Sequence, residues 1–190
     1  MKNTIEDYYK RVREEAPDLF KSEGKMHDGV SDDISGAFGN GLYPVLRNTK
    51  SDFGQFVKEF GFELPQEIKD YMSIFWHTYI IGYIREYRLG ELVLFPVLKF
   101  GNDSEDVLLY KNGVIELTKK WYDISSEKDY VAIGWLGYSG GFVLYNLKNN
   151  KIYLEDVNAD EEGLVYKEPV AGSLKELIGK LSLTADVWKD

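Results

Sequence analysis

Apolar residues recur at helical spacing early in the chain and change towards an alternating pattern past its middle. Ile5, Tyr8, Tyr9, Val12 and Ala16 mark an amphipathic helix over residues 4–16. Thr4 with Asp7 resembles a capping box, and Pro17 falls where the helix should end or bend. Phe53, Phe56, Val57 and Phe60 predict a short helix over 52–60, with Asp52 and Gln55 as a cap pair and Gly61 as its stop. Leu64-Pro65 opens a longer one, whose broad apolar face runs through Ile68, Tyr71, Met72, Phe75, Trp76 and Tyr79.

From Arg88 the period shortens towards two. Residues 89–100 read as a strand, with Pro96 suggesting an edge or a bulge. Residues 106–110 and 130–135 read as further strands, and 117–122 as a short helix or a strand. Gly101-Asn102-Asp103-Ser104 and Asn112-Gly113 are turn chemistry. Residues 142–147 and 152–156 predict a hairpin across Lys148-Asn149-Asn150-Lys151. Ser173-Leu174-Lys175-Glu176 is a capping box that opens a last helix, with Leu174, Leu177, Ile178 and Leu181 facing inward. Helices, then antiparallel strands, then a helix predict an α+β fold, with one antiparallel-dominated sheet of four to six strands and helices on one face. No repeat or linker divides the chain, so residues 1–190 are expected to form one domain. Residues 22–51 are a glycine-rich loop region, with a short strand near 42–46.

Composition narrows the function more than the fold. The 190 residues include no cysteine, which removes thiol catalysis, thiolate metal sites and disulfides. His27 and His77 stand 50 positions apart, so an imidazole site would rest on one of them. His77 sits beside an aromatic stripe and reads as a structural or interface residue rather than a ligand or base. The formal net charge of −9 disfavours nucleic acid and anionic lipid, and suits a basic protein partner or simple solubility. The polar start, Met1 to Lys10, does not read as a signal peptide, and no apolar stretch is long enough to span a bilayer. A cytoplasmic protein is expected, at most peripheral to the membrane through a protein partner.

Individual motifs carry little catalysis. Asp28, Asp32 and Asp33 invite calcium but lack EF-hand spacing, and Gly36, Gly39 and Gly41 form neither a dinucleotide fingerprint nor a P-loop. Gly137-Tyr138-Ser139-Gly140-Gly141 satisfies the Gly-x-Ser-x-Gly string, yet it joins strand to strand where a nucleophile elbow joins strand to helix. Glu91, Glu155 and Asp156 could form a carboxylate pair, although strand-edge carboxylates are usually solvated. No cofactor and no metal are expected. The aromatics Tyr83, Tyr87, Trp121, Tyr122, Tyr138, Tyr145 and Tyr153 lie among acidic residues, a mixture that suits an interface to a basic partner if the rings are exposed and a core if they are not.

Residues 131–157, VAIGWLGYSGGFVLYNLKNNKIYLEDV, resemble the core strand pair of the SUKH superfamily. Its Syd branch, the SecY-interacting proteins, is similar in several further stretches. These are LYPVLR at 42–47, the helix pair from Phe53 to Tyr71, Gly90 to Leu94, and the tail from Pro169 to Leu177. The likeness spans residues 42–181 and consists mostly of core and turn positions. Residues 22–41 match nothing in it.

The resemblance implies a non-enzymatic protein-binding module. It would be either a bacterial immunity protein that neutralises a polymorphic toxin or a Syd-like protein docking on basic SecY loops. Both predict an acidic, aromatic-lined face. Trp135, Tyr138, Glu155, Asp156, Asp160, Glu161 and Glu162 are the candidate partner-binding residues. A small hydrolase using Ser139 or a carboxylate pair is the alternative.

Overall fold

The computed structural model describes residues 1–20, 36–39, 41–48, 51–98, 113–137 and 139–188. Asp28, Asp32, Asp33, the turn at 101–104, the strand expected over 106–110 and Tyr138 lie outside the described residues. The fold is α+β with antiparallel sheets. Two compact units divide the chain: residues 1–79 with 96–110, and residues 80–95 with 111–190.

In the first unit, α1 (Lys2–Glu15) buries Ile5, Tyr8, Tyr9 and Val12, the stripe its period predicts. It starts earlier than the capping box implies: Met1 is the N-cap, no side chain caps it, and Thr4 lies inside the helix. α2 (Gly54–Phe60) is entered through Asp52, whose Oδ1 accepts from the Gly54 N–H at 2.8 Å. It stops at Gly61, where φ is 77° and the N–H reaches the Val57 carbonyl at 2.8 Å. α3 (Gln66–Ile74) follows Pro65 and buries Ile68, Tyr71 and Met72.

The aromatic stripe expected to continue to Tyr79 does not remain helical. The chain turns extended at Phe75 and forms β2 (Phe75–Trp76), antiparallel to β1 (Val45–Leu46). His77 then exchanges both backbone hydrogen bonds with Val97 at 2.9 Å. Apolar residues that fit a helical stripe also fit a strand buried on both faces, where the alternation disappears.

The second unit holds β3 (Ile80–Ile84), β4 (Tyr87–Leu94), β5 (Tyr130–Leu136), β6 (Phe142–Asn146) and β7 (Ile152–Leu154), joined antiparallel in that spatial order. β4 starts earlier than predicted, and it pairs on both sides rather than lying at an edge. Pro96 is accommodated because β4 ends at Leu94. No alternating pattern in the sequence predicts β3. Residues 117–122, read as helix or strand, belong to the helix α4 (Val114–Ile124).

α4 packs on β5, and Thr118 Oγ1 accepts from the Ala132 N–H at 3.2 Å. Trp121 is wholly buried there, edge-on to Tyr130 and Phe142 at 6.3 and 6.0 Å. Gly134 sits at a register shift in β5, where a Cβ would come within 2.2 Å of the Val93 carbonyl oxygen. Only glycine lets β4 and β5 approach this closely. The β6–β7 hairpin turns where predicted, with Asn150 in the left-handed region at φ 59°. α5 (Leu174–Lys180) has the expected cap: Ser173 Oγ accepts from the Glu176 N–H at 3.1 Å.

Candidate functional site

The acidic segment after β7 and the glycine-rich loop before β6 meet in the second unit. The loop is closed by backbone bonds: Leu136 N–H donates to the Gly141 carbonyl at 2.7 Å, and Gly140 N–H to that of Leu136 at 2.9 Å. Glu155 follows β7 directly and is 7% exposed. Its Oε2 accepts from the Phe142 N–H at 3.0 Å and its Oε1 from the Gly163 N–H at 3.2 Å. One buried carboxylate therefore ties the start of β6 to the far end of the acidic loop.

Gly163 is the second knot. Its carbonyl accepts from Ser125 Oγ at 2.7 Å, just past α4. It holds φ at 76°, and a Cβ there would stand 2.5 Å from the Ile124 carbonyl oxygen. Between the two knots, Asp156 Oδ1 accepts from the Asn158 N–H at 3.2 Å and starts a turn.

These ties leave a cleft of about 310 Å3. Its lining includes Ser139, Gly140 and Gly141 together with Glu155, Asp156, Glu161 and Glu162. Among the described lining residues there are four carboxylates, no cation and no imidazole. Sequence reasoning thus named four carboxylates that the fold brings together. Asp160 is exposed in the same loop but does not line the cleft, and Trp135 is half-buried within β5 and does not line it either. Glu155 is a structural tie, with both carboxylate oxygens occupied by backbone donors.

Trp121, Tyr145 and Tyr153 are buried core residues and are not available to a partner. Tyr83, Tyr87 and Tyr122 are half-buried. Burial, with Asp129 next in effect, pushes the Tyr122 phenol up to about 12.

The other candidate, His77, is wholly buried in the first unit. Its Nδ1 lies 2.7 Å from the Thr78 carbonyl oxygen, and its ring meets Tyr71 edge-on at 4.8 Å. Tyr9 Oη lies 3.1 Å from the same carbonyl and 3.2 Å from Thr78 Oγ1. Burial lowers the imidazole pKa to about 4, so the ring is neutral at pH 7 and donates from Nδ1. Arg47 lies in the same unit, stacked 3.9 Å from the Trp76 ring and donating to the Met72 carbonyl. This is core architecture rather than an open site. Among the described residues, no cluster of histidine and carboxylates could hold a metal ion, and no helix is long and apolar enough to cross a membrane.

A second groove, of about 610 Å3, lies beside residues 164–168 and takes in Tyr87 and Glu127. Sequence reasoning missed it. The only local signal is the short apolar run Leu164-Val165-Tyr166 behind the acidic loop. No protein-family model, curated protein or solved structure matches the chain.

Proposed function

We propose that this chain is a non-enzymatic protein-binding module that meets a basic partner across its acidic cleft. The observation that carries the reading is the convergence of Glu155, Asp156, Glu161 and Glu162 on one concave surface with no cation among its described lining residues. A cationic side chain entering there would be steered by the local carboxylates and by the chain's net charge of −9. Such a surface suits the SUKH-like reading, in which the partner is a toxin domain to be neutralised or the basic loops of SecY. A cytoplasmic location follows from either.

The test is a pull-down with tagged protein from its own cells, membranes solubilised, read by mass spectrometry. SecY recovered at low salt and lost at high salt supports the translocon reading. A secreted toxin domain supports immunity, to be checked by growth rescue on co-expression. With the partner in hand, reversing Asp160, Glu161 and Glu162 to lysine should weaken binding at least ~10-fold and flatten its salt dependence. Unchanged affinity would place the partner elsewhere.

Ser139 lines the same cleft, which is the observation that favours the hydrolase alternative. Among the described residues Ser139 makes no hydrogen bond to a base, and the two oxygens of Glu155 are already engaged. A hydrolytic activity abolished by Ser139→Ala would restore that reading.

A further inference from the structure

The segment Leu164–Tyr166 runs antiparallel to the end of β7. Asp156 N–H donates to the Leu164 carbonyl at 2.8 Å, and Tyr166 N–H donates to that of Leu154 at 3.0 Å. Glu155 and Val165 face each other between these bonds. In this register the backbone groups of the facing pair point outward, away from one another. On the inner side that outward bond is made, Glu155 N–H to the Phe142 carbonyl at 2.9 Å. On the outer side, the N–H and C=O of Val165 have no partner among the described residues. An open strand edge is a template for another chain.

The second groove lies along this edge. Leu164 is 43% exposed there, and Tyr87 and Tyr166 stand 5.7 Å apart as an aromatic wall. Glu127, Asp156 and Glu168 oppose Lys167, the single cation among the described lining residues. Burial raises both phenols above their usual range, and neighbouring carboxylates raise them further: Glu86 and Glu168 at Tyr87, Asp156 at Tyr166. Negative charge thus surrounds an apolar trough with a free backbone donor and acceptor at its margin.

We propose that this groove binds an extended basic peptide segment by strand addition to Val165, with an apolar or aromatic side chain of the peptide between Tyr87 and Leu164. The proposal rests on the reading that the chain binds a basic protein, and adds a second contact beside the acidic cleft. Backbone pairing would supply affinity, and the aromatic wall and carboxylates would select for apolar and cationic side chains.

The probe is a synthetic octapeptide of alternating lysine and valine with one central tryptophan, against the same peptide N-methylated on alternate amides and a version with glutamate for lysine. Binding is followed by calorimetry and by amide exchange of the intact protein. The lysine peptide should bind and slow exchange at Val165. N-methylation should weaken it roughly tenfold, as expected for one or two lost backbone hydrogen bonds. The glutamate peptide should not bind. Tyr87→Ala should weaken the lysine peptide without altering the strand edge.

Equal binding of the methylated peptide, or binding with Val165 exchange unchanged, would overturn strand addition while leaving the acidic-cleft reading intact. No binding of the lysine peptide, or self-association that already covers Val165 without peptide, would overturn it too. Charge reversal at residues 160–162 against the natural partner tests the broader reading independently.

Discussion

The two units bury polarity in different ways. The first encloses an imidazole, a guanidinium and a threonine hydroxyl among aromatic rings: His77, Arg47 and Thr78 beside Tyr9, Tyr71 and Trp76. The second encloses a sheet whose strands β5 to β7 are buried on both faces, and the one buried carboxylate among its described residues, Glu155, ties the start of β6 to a loop. The buried imidazole of the first unit, whose pKa burial lowers, makes stability depend on pH. A sheet of apolar side chains makes it depend on shape. The first unit should therefore be the more sensitive to acid and the second to changes of volume.

The largest effect should come from breaking the shape of the second unit. Trp121 is wholly buried, contacts Tyr130 and Phe142, and donates from Nε1 to the Glu127 carbonyl at 3.0 Å. Trp121→Ala should cost about 3–5 kcal/mol in urea unfolding followed by circular dichroism. A cost below ~1 kcal/mol would mean that α4 does not hold this core.

Next is Glu155. Glu155→Ala leaves the Phe142 and Gly163 N–H groups buried without their acceptor, at a cost of about 2–4 kcal/mol. Glu155→Gln keeps the volume but turns an NH2 towards one of those donors, so it should recover little. The sharper readout is local: amide exchange at Gly163 should accelerate more than exchange in the middle of β5. Equal acceleration everywhere would show that Glu155 supports the whole sheet and not the loop.

His77 sharpens the comparison from the other unit. Its folded pKa of about 4 lies below the ordinary 6.5, so the unfolded chain takes up the proton first. The stability from the neutral imidazole is complete above pH 6.5 and is lost as pH falls towards 4, at most about 3 kcal/mol. Burial is the main cause, and the Arg47 charge acts in the same direction. Between pH 7.5 and 5 the natural protein should lose about 2 kcal/mol more than His77→Asn, in urea unfolding measured at both pH values. Parallel losses would mean that the imidazole is hydrated in the folded state.

What could be read from the sequence follows the same division. The β6–β7 hairpin and α5 were legible because their signals are local: a polar turn between short apolar runs, and Ser173 three residues before Glu176. β2 and β3 are not legible, because the mostly apolar run from Phe75 to Ile84 carries neither period cleanly. At the site, Glu155 to Glu162 stood out as an acidic cluster, but the role of Glu155 was hidden. A carboxylate that receives two backbone donors looks, in sequence, like one facing solvent. The groove at Val165 depends on the open side of a single residue pair, which no composition reveals.

The smallest expected effect is the most discriminating. Asp160, Glu161 and Glu162 are exposed, and none forms an ion pair among the described residues. Replacing all three by lysine moves the formal net charge from −9 to −3, two units per substitution. Exposed charges of this kind are typically worth within about 0.5 kcal/mol each, and relief of self-repulsion works in the variant's favour. Unfolding free energy should thus change by no more than ~1.5 kcal/mol, against several for Trp121→Ala in the same unit. If binding to the natural partner falls at least ~10-fold in that folded variant, the loss belongs to the surface and not to the scaffold. A large loss of stability instead would show that the acidic loop, like Glu155, belongs to the architecture, and the partner surface would have to be sought at the Val165 edge.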